Sequence, residues 1–285
     1  MTPICIYSGN LSAAWSRAYL HALSHRSKVL PPLIISINTA GQSGAPTEDQ
    51  AVRENLDRVL FERDAVSVED TACTVFPQRL WSTSRGDRKR LFQLHRNGAN
   101  PVDGESSPGP SDQSHCFERL VNFGDAAASV NQLESILSSY ERDPFVRSST
   151  FHAGIFDPAR DQAHAGSNRF PSVQHVTFLP AGNDLAVNAF YVRQQFPFRA
   201  YGDLLGLARL GAFMAAEMKL RLGQLNVITG TEKLEGLPRP CRGLTALTAA
   251  ARACIAANEP QRGGYDYDAS GGFGSWGPAR HRDAW

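Results

Sequence analysis

Apolar side chains recur along this chain at two spacings, every second residue and every three to four, and the switches between them divide it into elements. Residues 3–8, PICIYS, and 33–38, LIISIN, are rich in β-branched side chains and bounded by Gly, Pro and Asn, which predicts two strands. Between them, LSAAWSRAYLHALS (11–24) places its apolar residues at helical spacing. A second helix is expected over 47–63, with Thr47 as its cap, early acids, and Val52, Leu56, Val59 and Leu60 on one face. VNQLESILSSYER (130–142) reads as a helix stopped at Asp143-Pro144. HVTFL (175–179) and LAVNAFYV (185–192) form a hairpin around residues 180–184. DLLGLARLGAFMAAEMKLRL (203–222) is the strongest helix, apolar on most faces of its first half and so expected to be buried, with Gly223 ending it. QLNVIT (224–229) is a strand and LTALTAAARACIAAN (244–258) a last helix.

Mixed strands and helices with a hairpin imply an α+β fold, one domain over residues 1–262, without internal repeats. Residues 97–114 are almost all Gly, Pro, Ser, Asn, Asp, Gln and Glu, the composition of a flexible insertion. The tail, 263–285, is Gly-rich with interleaved aromatics; disorder is favoured there over a closing flap.

Composition narrows the chemistry. A chain of 285 residues with 42% hydrophobic content is long enough for one sizeable core. A net charge of +1 offers no bulk cationic surface for nucleic acid. Five dispersed cysteines with no CxxC pair point to reduced thiols and away from a disulfide framework or zinc site. No apolar run approaches the ~18 residues of a membrane span, and the first residues lack the features of a signal peptide. The expectation is a cytoplasmic protein with no membrane or nucleic-acid partner. Phosphate-cradling glycine motifs and metal-type His/Cys clusters are missing from the sequence, and GGFG (271–274) sits in the tail. Of eight dispersed histidines only His175, in a predicted strand, is singled out; a lone strand histidine is more often structural than catalytic.

Three segments, in order, carry a resemblance. They are NQLESILSSYERDPFVRS (131–148), FPSVQHVTF (170–178) and the long run 185–235, LAVNAFYVRQQFPFRAYGDLLGLARLGAFMAAEMKLRLGQLNVITGTEKLE. Together they resemble the pyrimidine nucleotide C5-transferases: thymidylate synthase and the cytidylate hydroxymethylases, closest to the divergent hydroxymethylase-like branch. The first is similar to the family's Asp-Gln-Leu helix and Asp-Pro-x-Ser-Arg-Arg loop, and the second to its Pro-Pro-Cys-His segment. The third is similar to its Arg-Ser-x-Asp turn, Asn-opened helix and strand ending His-x-Tyr. From Ser172, Asp203 lies 31 residues on and Lys233 lies 61 on, about the intervals between the family's Cys, Asn and His. The resemblance covers residues 115–236 and is loose in the N-terminal third.

The resemblance implies a thymidylate-synthase-like fold, a mixed sheet flanked by helices, and a homodimer formed sheet to sheet. It also implies transfer of a one-carbon unit from 5,10-methylenetetrahydrofolate to C5 of a ring activated by a cysteine thiolate at C6. Here Ser172 stands at the nucleophile's position, and a serine hydroxyl is a far weaker nucleophile unless a base lies beside it. By strand alternation His175 is expected on the face opposite Ser172. Arg147 matches the first arginine that would reach across a dimer to a phosphate, with Ser148 in place of the second. Arg193 matches the arginine of Arg-Ser-x-Asp, Gln194 replaces its serine and Phe196 its aspartate. Lys233 and Glu235 stand where His and Tyr would grip the sugar. Asp203 occupies the position that is Asn for uracil and Asp in some enzymes acting on cytosine; it also reads as a plain helix cap. Glu54 is the best match for the family's general base and Glu69 the runner-up. The altered phosphate and sugar positions imply a heteroaromatic or nucleotide-like substrate other than a standard nucleotide monophosphate, or a homologue that binds without catalysis.

Overall fold

The computed structural model describes residues 2–24, 29–39, 47–99, 116–124, 129–162, 171–234 and 242–258. The insertion at 100–114, the tail at 263–285, Glu235 and Cys241 lie outside them. Residues 97–99, expected in the insertion, instead close a helix.

Among the described residues seven strands make one mixed sheet in the order β1-β3-β7-β6-β5-β4, with β2 (Val29–Leu30) on β7. β1 (Ile4–Ser8) runs parallel to β3 (Leu33–Asn38), which is antiparallel to β7 (Arg221–Leu234). β7 is parallel to β6 (Asp184–Phe196), and β5 (Val173–Ala181) runs antiparallel to both its neighbours, β6 and β4 (His152–Gly154). The β5–β6 hairpin is tighter than expected, closing with Ala181 opposite Asp184 across Gly182-Asn183.

One face of the sheet carries the core. Ile6, Ile35, Val227, Ala189 and Val176 form a single registered row, all buried, as do Ile37, Leu225, Val187 and Phe178 in the next. Against this face pack α1 (Leu11–Ser24) and α9 (Phe198–Glu217), both nearly all buried along their inner sides. α2 (Gln50–Phe61) and α10 (Arg242–Ala257) cover α1, and α3 (Val68–Val75) lies along α9. α2 is capped by Asp49, whose carboxylate accepts from the Val52 amide, and not by Thr47; the Thr47 hydroxyl instead accepts from the Asn10 side chain.

The α3–α9 seam is close because α9 presents Gly202 and Gly206 one turn apart. A Cβ at Gly206 would stand 2.6 Å from the Val75 Cβ and 2.7 Å from the Ala72 carbonyl oxygen. α4 (Gln78–Ser84), α5 (Arg88–Ala99), α6 (Cys116–Val121), α7 (Gln132–Arg142) and α8 (Pro158–Asp161) complete the described helices. α6 is tied to α8 by the buried Arg119–Asp161 pair, two bonds of 2.6 and 2.9 Å. No helix among the described residues is long and apolar enough to cross a membrane.

Among the described residues the opposite face is left open. Tyr7, Ser36, Asn226, Asn188, Thr177 and His152 form one registered row across six strands, beside a row of Cys5, Ile34, Ile228, Phe190 and His175. None of these side chains is an acid, lysine or arginine. Gln224 donates to Ser36, Asn226 to Asn188 and Asn188 to Thr177, so the polar groups are satisfied within the face. Tyr7 is 70% exposed and Ile228 39%.

Candidate functional site

α9 begins at Phe198, not at Asp203 as the sequence suggested, with Pro197 at its cap position. Asp203 is therefore five residues inside the helix and caps nothing. It is 3% exposed and faces the underside of the sheet. Gln194 reaches the same place because the alternation of β6 shifts phase. Leu185, Val187, Ala189 and Tyr191 point to the core, Val192 and Arg193 are both exposed, and Gln194 and Phe196 turn inward again. The Gln194 carboxamide donates from Nε2 to Asp203 Oδ2 at 3.0 Å, and the Thr229 hydroxyl lies 3.5 Å from its Oε1. Arg199, one turn earlier on α9, holds Nε 3.6 Å from Asp203 Oδ1. Burial pushes the Asp203 carboxyl above the usual carboxylate range, against the opposing pull of Arg199 and the Gln194 hydrogen bond.

Two further groups share this buried region. The Tyr191 hydroxyl is fully enclosed and has no hydrogen-bond partner among the described residues. Burial raises its pKa well above the ordinary phenol value, with the charges of Asp203 and Cys116 adding to the effect. The Cys116 thiol, from α6, is pushed up to about 12 by burial, with Asp203 adding. A thiol held protonated in this way is a poor nucleophile. A carboxyl that keeps its proton to higher pH donates from one oxygen and accepts at the other, and an unpartnered phenol stands ready for one more bond.

The start of β5 lies against the end of β6 through the Val192 amide, which donates to the Ser172 carbonyl at 3.2 Å. Ser172, Arg193, Gln194 and Asp203 are thus gathered at one end of the sheet, but the Ser172 and Arg193 side chains are exposed while the other two are buried. His175 follows a bulge between Val173 and His175. Val173 and Val176 both face the core, so simple alternation no longer separates His175 from Ser172. The His175 ring stacks on Phe190 at 5.7 Å on the open face.

The remaining candidates stand apart. Arg147 is exposed just before the short turn Ser148–Thr150; Phe151 after it accepts from the Phe178 amide. Phe178 is six positions along β5 from Ser172, roughly 20 Å at ~3.3 Å per residue. Glu54 is exposed on α2 and accepts from Gln50 at 2.7 Å. Glu69 is bonded by Arg209 at 2.7 and 2.9 Å, which holds its carboxyl below the usual range and makes it a weak base. The Lys233 backbone pairs with Gln195 in the sheet, and its side chain lies outside the described residues. A groove of about 570 Å³ lies elsewhere, between α5, α6 and the start of α7, lined by Lys89, Phe92, Arg96, Val121 and Asn131.

Tyr191, Arg199, Thr229 and Cys116 escaped the reading of the sequence. Tyr191 had a signal, since it continues the inward alternation of β6. Cys116 had none, because only the fold brings α6 beside α9. Among the described residues no group of His, Cys, Asp and Glu is arranged to hold a metal ion. Compared with models of known families the chain matches none, and it matches no curated protein.

Proposed function

We propose that this chain is a divergent relative of thymidylate synthase and the cytidylate hydroxymethylases. On this reading it is a one-carbon transferase acting as a homodimer on a cytosine-like or other heteroaromatic ring other than a standard nucleotide monophosphate. The observation that carries the reading is the Gln194–Asp203 pair. The position at which the family reads its ring holds a buried carboxyl, its pKa raised by burial, that no helix-capping role explains. Such a group pairs with an exocyclic amine and ring nitrogen, whereas an amide pairs with a carbonyl and N–H.

The residues fit the ring better than the folate. Of the aromatic rings near Asp203 along the chain, Phe196 and Tyr201 are both closed on Trp15 in the core, at 6.4 and 5.5 Å, and Phe198 lies under the Arg63 guanidinium at 4.6 Å. Neither Phe196 nor Tyr201 offers a free face to a pterin. The dimer is supported by the open sheet face. A two-fold interface brings like residues together, so the two central rows, which hold no acid, lysine or arginine, meet their copies without charge repulsion. Phe145, 95% exposed beside Arg147, is a further apolar group awaiting cover.

One observation favours a second reading, a homologue that binds the ring without transforming it. The Ser172 side chain is exposed, and neither candidate base is poised beside the Asp203 cluster. The test is release of tritium from the 5 position of labelled cytosine and cytidine compounds, with and without methylenetetrahydrofolate, alongside ligand-induced shifts in Tm. Folate-dependent release supports the transferase. A Tm shift without release supports the binding homologue, and neither response rejects both.

A further inference from the structure

We propose that the His152–His175 pair makes self-association through the open sheet face dependent on pH, the two chains parting as the imidazoles are protonated. The inference rests on the homodimer reading above and adds its regulation.

His152, on β4, and His175, on β5, are diagonal neighbours on the open face, with ring centroids 5.2 Å apart. His175 is sandwiched further, its ring nearly parallel to Phe190 on β6, 19° between planes. The neighbouring positions on the same face are Thr177 on β5, Asn188 and Phe190 on β6, and Ile228 and Asn226 on β7. None of these is charged at any ordinary pH, and none can compensate an imidazolium. The charged side chains nearest in sequence among the described residues are Arg147 and Asp157 on either side of β4, the latter capping α8 through the Ala159 amide, and Asp184 at the far end of β6, paired with Arg221. Within the rows of the face named above, a proton on either ring therefore meets no counter-charge.

A second copy sharpens this. The two-fold operation lays an identical face over the first, so it delivers more neutral amides, apolar side chains and imidazoles, and no carboxylate from the rows named above. Burial disfavours the charged form, and two imidazoliums about 5 Å apart repel. The free chain already leans this way: burial lowers the pKa of His175, and His152 lowers it further. Covering the face deepens the burial, so the associated state binds fewer protons than the separated one. By linkage, association is strongest where the rings are neutral and weakens as pH falls through the range below the ordinary histidine value of about 6.5. With one proton excluded per chain, two per dimer, the dissociation constant should rise on the order of ten-fold or more between about pH 7.5 and 5.0.

The experiment is sedimentation equilibrium of the full chain over a range of concentrations at both pH values, for the wild type and for His152→Asn/His175→Gln. Circular dichroism at each pH confirms that all samples are folded. A wild-type dimer that loosens ten-fold or more on acidification, beside a double variant whose dissociation constant stays within about two-fold, supports the proposal. A dimer with the same constant at both pH values, or a variant that loosens as the wild type does, overturns it and leaves the dimer reading standing. A chain that is monomeric even at neutral pH sinks the dimer reading and takes this proposal with it. If the double variant does not fold, titrating the wild-type imidazole resonances by NMR decides instead. A lower His175 pKa in concentrated than in dilute samples supports the coupling, and equal values overturn it.

Discussion

The Gln194 carboxamide donates to the Asp203 carboxylate across 3.0 Å beneath the sheet. That bond exists because two local features coincide: β6 shifts its phase at Val192 and Arg193, and α9 starts five residues before Asp203. Together they turn a residue that looked like a cap into a buried acid.

Asp203 should make the protein less stable as pH rises. Its folded pKa lies above its unfolded value, so the folded state binds the extra proton between the two. Stability is greatest below the unfolded value and falls as pH rises through the folded one. Asp203→Asn keeps an acceptor for Gln194 and cannot ionise. Its stability relative to wild type, followed by Tm, should therefore climb from about pH 4 to pH 7, by about 1.4 kcal/mol for each unit of pKa displacement. A Tm difference that is flat with pH would show the carboxyl to be unperturbed.

Gly206→Ala should be destabilising by roughly 1–3 kcal/mol, toward the upper end, through overpacking. The added methyl would meet Val75 and the Ala72 backbone, neither of which can move away without opening the α3–α9 seam. Urea titration measures this, and a neutral result would contradict the packing described.

Arg119→Met leaves Asp161 buried and unpaired except for the Asp157 amide, at a cost of about 3–5 kcal/mol. The double variant Arg119→Met/Asp161→Leu should recover much of that loss in the same urea titration. Equal losses in the single and double variants would argue against a paired buried charge.

Ser172→Cys should add one thiol that reacts rapidly with a disulfide reagent, because the side chain is exposed. Cys116 and Cys254 are buried with raised pKa values and should react only on unfolding. A slow thiol at position 172 would mean that its surroundings are closed.

The sheet's central strands and α1 were legible because their apolar residues repeat cleanly. α9 was placed five residues late, because Asp is a favoured cap and FPFRAY offered no helical rhythm. α3 to α5 went unread. Short helices such as VEDTACTV and RKRLFQLHRNGA show few apolar repeats, and their packing against α9 and α6 is what holds them. The site divides in the same way. Asp203 and Gln194 were marked by resemblance, yet their bond depends on a strand shift that alternation alone does not announce. Cys116 and Tyr191 join them from distant parts of the chain, a juxtaposition only the tertiary fold makes.

The most direct measurement is the ring preference of the wild type against Asp203→Asn, by calorimetric titration with matched cytosine and uracil compounds. The wild type is expected to favour the 4-amino ring and the variant the 4-oxo ring, each by about 1–3 kcal/mol, the scale of one hydrogen bond left unpaired. Equal affinities for the two rings in both proteins, or no binding of either, would contradict the assignment of Asp203 as the residue that reads the ring.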